Sequence, residues 1–233
     1  MERQFVKEIH LGQTVVPYRL LPPLNAVLPT TPTAILSNEQ IQDHPALAAW
    51  WERAETAWTA NKVLGDDSDL LDRIDFHGQL GAQLPAAQHR VVYTKAGNTL
   101  SSARVMGDAL IDHKLYWGAV SGLDEARYLT AILNSSTLLE RVKPLQALGL
   151  FGGRDFDKVV FSLPIATYDH TSDDHRQLAD LAAAAETAAA GLTFHPDWTF
   201  QRTRKYVRAE LDRAGIAQQI EQAVARVVPV PDV

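Results

Sequence analysis

The spacing of apolar residues changes along the chain, and each change predicts a different element. The first 36 residues are punctuated by Pro17, Pro22, Pro23, Pro29 and Pro32. Proline fixes its own φ and lacks an amide donor, so short apolar pieces such as Thr14-Val15-Val16 read as edge strands and turns. Leu47, Trp50, Trp51, Ala54 and Trp58 then recur at helical spacing on one stripe, with Pro45 suited to the first turn. Core packing is the expected use of these tryptophans. After the polar turn Asp66-Asp67-Ser68-Asp69, a shorter helix is predicted over Leu70 to Gln79.

Residues 89–120 change character. The runs HRVVYTKAG, LSSARVM and ALIDHKLYWGAV are rich in β-branched and aromatic residues and are broken by Gly97-Asn98 and Gly107-Asp108. They read as strands of a small sheet with two tight connections. Ser121 to Asp124 has the spacing of a capping box, and Leu129, Ile132 and Leu133 give the following helix its buried face. A second helix carrying Leu138, Leu139 and Val142 should stop at Pro144. Gly149 to Asp157 reads as a charged glycine-rich loop, and VVFSLPI as a return to strand. A helix from Ser172, with Asp173 and Asp174 at its positive end, carries Leu178, Leu181, Ala182 and Ala185 and ends at Gly191. The tail reads as helices over Pro196 to Arg213 and Ile216 to Val228. The pattern predicts an α+β fold: a small mixed or antiparallel sheet packed by helices, with a helical C-terminal tail. Its expected segments are 1–84, packing on a core over 85–190, and a tail over 191–233.

Composition narrows the class. Hydrophobic residues make up 46% of the 233 positions, enough for a core, and there is no cysteine. Disulfides, thiolate nucleophiles and cysteine zinc sites are thereby excluded. The segment MERQFVKEIH lacks the apolar centre of a signal peptide, and no apolar run is of membrane-spanning length. A soluble cytoplasmic chain is expected. The net charge of −6 argues against indiscriminate coating of nucleic acid. Charge is uneven, however: His89 to Lys158 holds nine basic and seven acidic residues, a local +2 that leaves −8 elsewhere.

Most catalytic signatures are missing. There is no P-loop run, no strand-linked G-x-G-x-x-G and no G-x-S-x-G elbow. Base methylation needs an Asn/Asp-Pro-Pro-aromatic loop around a flipped base. The sole Pro-Pro here, Leu21-Pro22-Pro23-Leu24, lacks both flanking residues. His170 and His175 with Asp169, Asp173 and Asp174 offer metal-ligand types, but acids at a helix start serve capping equally well. Asp112-His113-Lys114 has the Asp-x-Lys form found in magnesium nucleases, without a second carboxylate at suitable spacing. Neither set is assigned a metal or a catalytic role.

Over residues 89–186 several blocks occur in order: HRVVYTKAG, IDHKLYWGAV, LDEARYLTAILNS, LFGGRDFDKVVFSLPI, then a histidine before an Ala/Leu-rich helix. This arrangement resembles the C-terminal region of large adenine-specific DNA methyltransferases, including the fused restriction–methylation enzymes called type IIG. FVKEIHLGQTVVPYRLLPPLNAVLP and HPALAAWWERAE extend the likeness back to about residue 5. The resemblance implies that this region reads the DNA target, while a separate domain or subunit binds S-adenosylmethionine and methylates. No cofactor is expected on this chain. The partners implied are double-stranded DNA and a methyltransferase catalytic domain or subunit, with no membrane. On that basis Lys95, Asn98 and Thr99 at a strand connection, Arg104 and Lys114 on adjacent strands, and Arg154 and Lys158 in the glycine-rich loop are the candidate DNA contacts. Such side chains pair with base edges and phosphates. Arg202, Arg204, Lys205 and Arg208 crowd one tail helix and suit either phosphate tracking or a plain charged face. Tyr93, Tyr116 and Trp117 are expected in the core. The alternative function is a protein-interaction module that docks a catalytic or nuclease subunit.

Overall fold

The computed structural model describes residues 1–95, 97–145, 148–149, 152–153, 156, 160 and 163–228. The proline-punctuated start forms four short strands, β1 (Val6–His10), β2 (Val15–Val16), β3 (Arg19–Leu20) and β4 (Leu24–Val27). β1 pairs antiparallel with β4, from Val6 opposite Val27 to Ile9 opposite Leu24. β2 and β3 form a hairpin whose corner is Pro17-Tyr18. Tyr18 sits at φ 61°. A side chain disfavours that conformation, and here two contacts hold it: the ring is buried, and Tyr18 N donates to Ser102 O at 2.9 Å.

Three helices follow: α1 (Asn38–Gln42), α2 (Pro45–Asn61) and α3 (Leu70–Ile74). Ser37 with Gln40, and Asp69 with Asp72, close reciprocal capping boxes on α1 and α3. Leu47 and Trp51 of α2 pack with Phe5, Leu36 and Ile41 in a separate small cluster with Trp50 against it, while Trp58 at the end of the stripe is half-buried and donates to Ser68 O. The helix predicted to reach Gln79 stops at Ile74. There the Asp75 carboxylate accepts from the amides of Leu80 and Gly81, at 2.9 and 2.8 Å, and His77 turns to φ 56°. A short acid offering the backbone another partner ends the helix early.

The central sheet has the order β6 (Ser102–Val105), β5 (Arg90–Thr94), β8 (Leu115–Ala119), all antiparallel. A second sheet joins β4 and β1 to β7 (Leu110–Ile111), with β1 and β7 parallel. Asp112-His113-Lys114 is a turn between β7 and β8, not a strand. The Asp112 carboxylate accepts from Lys114 N at 2.9 Å and lies 3.1 Å from His113 Nδ1. The geometry that favoured a nuclease reading of this triplet is thus absent.

The remaining helices are α4 (Leu123–Asn134), α5 (Ser136–Val142), α6 (Asp173–Ala190), α7 (Phe200–Arg213) and α8 (Ile216–Val227). α4 has Gly122 at its N-cap, and the Ser121 amide and hydroxyl both reach Glu125 instead of forming the expected box with Asp124. α7 begins at Phe200, where Thr199 caps the Arg202 amide, and not at Pro196. Leu148–Gly149 and Gly152–Gly153 pair as strands inside the segment read as loop. The described part of VVFSLPI carries no strand, although Val160 and Leu163 are buried. One large core joins Val16, Tyr93, Ile132, Leu178, Leu211 and Val224, so the tail helices pack on the same core as the sheet. No described helix is long and apolar enough to cross a membrane.

Candidate nucleic-acid interface

β5 runs out at Thr94, and Thr94 lies opposite Leu115, the first residue of β8. Tyr93 lies opposite Ser102, the first residue of β6. Two connections therefore meet at one end of the central sheet, β5 to β6 and β7 to β8. Lys95 leaves β5, the turn Gly97–Thr99 leads toward β6, and Lys114 precedes β8. Asn98, Thr99 and Lys114 are exposed and Lys95 is half-buried. Antiparallel pairing forces this gathering, because strand ends that face one another deliver their loops to the same edge.

The Lys95 ammonium sits 5.4 Å from the Tyr116 ring centre, and that ring stacks on Tyr93 at 5.4 Å. An aromatic face steadies the cation without neutralising it. The Lys95 carbonyl accepts from Phe156 N at 2.8 Å. That bond ties Phe156 to the same edge. Arg154 and Lys158, the candidates of the glycine-rich stretch, lie outside the described residues. Lys95 and Lys114 have no carboxylate partner among the described residues.

Arg104 is used differently. From the middle of β6 its guanidinium forms a two-pronged pair with Glu186 of α6, and Arg127 Nε reaches the same carboxylate at 3.1 Å. All three side chains are at most one-quarter exposed. The arrangement bolts α6 to the sheet and to α4, away from the edge that holds Lys95 and Lys114.

The whole chain superposes on 29% of the length of MmeI, a Type IIL restriction-modification enzyme whose structure was solved in complex with DNA, with a TM-score of 0.62 and 10% sequence identity. At that identity the likeness is one of fold. The chain spans under a third of that enzyme. No family model and no curated protein matches the chain.

The tail arginines were legible as a basic helix, but not their direction. Arg204 is only 8% exposed and donates from Nε to Val15 O at 2.9 Å and from its terminal nitrogen to Gly12 O. Arg208 donates to Leu100 O and, at 3.0 Å, to Ser101 Oγ. A signal existed: Arg204, Arg208 and Leu211 fall at i, i+4, i+7, on the buried stripe. Arg208 thus holds the end of the Gly97–Thr99 loop from below. Asn134 escaped sequence reading altogether. Its amide accepts from Ser102 N and donates to Ser102 O, both at 2.9 Å, as a neighbouring strand would. In the acidic pair of histidines, His175 Nδ1 accepts from Asp169 N at 2.9 Å, and Ser172 caps α6.

Proposed function

We propose that this chain is the DNA target-recognition region of a restriction-modification enzyme of the adenine-methylating kind. Methyl transfer and S-adenosylmethionine then belong to a separate catalytic domain or subunit. The observation that carries the reading is the superposition of the full chain on part of a restriction-modification enzyme solved with DNA. The sheet edge with Lys95, Asn98, Thr99 and Lys114 supplies a place for it.

The proposed action is non-covalent. The amide of Asn98 and the hydroxyl of Thr99 meet base edges in a groove, where one good bidentate contact discriminates by about 1–3 kcal/mol. Lys95 and Lys114 fix the register on phosphates, which carry affinity and not sequence. Among the described residues, neither ammonium must first break an ion pair to do so. Arg104 is left out of the contact set because its charge is matched by Glu186.

A titration against mixed-sequence duplex DNA at several salt concentrations tests this. Binding should weaken steeply as salt rises, and Lys95→Ala with Lys114→Ala should lower the slope of log affinity against log salt by about 2. Arg104→Ala should leave that slope unchanged. Absence of binding at low salt overturns the reading. Enrichment of one motif from a randomised duplex pool would separate recognition from plain electrostatic adhesion.

A further inference from the structure

We propose that the cleft between the Gly97–Thr99 turn and α7 holds one backbone phosphate of the duplex, with Lys205 as its direct contact and Arg204 and Arg208 as a fixed positive floor. The proposal rests on the DNA-recognition reading and adds a site to it, on an element outside the sheet edge.

The cleft has a volume of about 550 Å³. Asn98 and Thr99 lie on one wall, and Gln201, Arg204, Lys205 and Arg208 on the other. Three cations line it and, among the described residues, no carboxylate does. That is unexpected in a chain with 28 acidic against 22 basic residues. The surface as a whole favours cations, yet this concavity is selective for an anion.

The buried arginines strengthen the case. Carbonyl oxygens of Gly12, Val15 and Leu100 accept from these guanidiniums, but a carbonyl dipole does not cancel a full charge. Burial, and then the neighbouring Arg208, push the Arg204 guanidinium down to about 10. Asp212 one turn on offsets Arg208, but it does not line the cleft. An anion seated there would relieve the repulsion between the two guanidiniums. Both are pinned by the backbone, so they act through their field. Lys205 is exposed and has no ion-pair partner among the described residues, so its ammonium is free to close on a phosphate oxygen. Asn98 and Thr99 form the opposing wall, so the site would clamp the strand whose bases those two residues read.

Anisotropy titrations with one mixed-sequence duplex over a salt series test the site on the full chain. The set is wild type, Lys205→Ala, Lys205→Arg and Arg53→Ala, the last an exposed cation of α2. The expected result for Lys205→Ala is a roughly five- to tenfold loss at about 0.1 M salt, with the salt slope falling by about 1. Lys205→Arg should restore both, and Arg53→Ala should match wild type. If wild type binds and Lys205→Ala behaves as Arg53→Ala does, the cleft is overturned while the recognition reading stands. If wild type does not bind, both fall.

Discussion

His10 shows how a single side chain links burial to pH. It is buried at 6% exposure, and its Nδ1 lies 3.1 Å from Thr14 Oγ1. The Thr14 hydroxyl donates to Leu11 O at 2.9 Å, so His10 must be the donor in that pair. Burial first, and then the charge of Arg90, hold the imidazole below its ordinary range. The unfolded chain therefore takes up the proton at a higher pH than the folded one. Stability from this group is fully present above the unfolded value of 6.5 and is lost as pH falls below it. Urea midpoints at about pH 7.5 and about pH 5.5 should drop at the lower value, and His10→Asn should shrink the drop. An equal drop in the variant would remove His10 as the cause. The residue type was plain in the sequence, but its partner four positions on, a threonine in a tight turn, was not.

Elements here are completed by side chains as well as by strands. Gln83 exchanges two hydrogen bonds with the backbone of Ile111, at 2.7 and 2.9 Å, and so extends β7. Asn134 does the same for Ser102 at the edge of β6, beside the proposed DNA edge. Asn134→Leu keeps the volume but strands a partly buried amide and carbonyl. It should cost about 1–3 kcal/mol in urea unfolding, and a wild-type midpoint would show that water replaces the amide freely. Helix placement was largely legible, because the apolar stripes of α2, α4, α6 and α8 repeat at 3.6 residues. What failed was local competition: Asp75 ended α3, and Asp112 turned an expected strand into a corner. Short acids that bond their own backbone leave no trace in a hydrophobic period.

For the molecule as a whole, the tail is part of the core. Val207, Leu211, Ile220, Ala223 and Val224 are almost fully buried against residues of the sheet and of α4 to α6. A chain cut after Gly191 would expose that apolar face. It should lose cooperative unfolding in calorimetry and associate in size-exclusion chromatography. A monomeric truncation with a sharp transition would mean that the tail is an independent unit. The same closure sets the electrostatics. The local +2 of residues 89–158 pointed to the segment that holds the sheet edge, but the three cations lining the cleft come from α7, more than a hundred residues beyond the turn they face.

The sequence by itself determined the fold class, the order of the main helices, and the segment in which exposed polar residues would collect at a sheet edge. Those properties follow from periodicity and turn chemistry, which are local. Only the tertiary structure decided that Arg104 belongs to Glu186 and α6, that Arg204 and Arg208 face inward, and that the Gly97–Thr99 turn looks across at α7. Charges choose partners by distance in space, and for these groups the partners lie 82 to 192 residues apart in the chain.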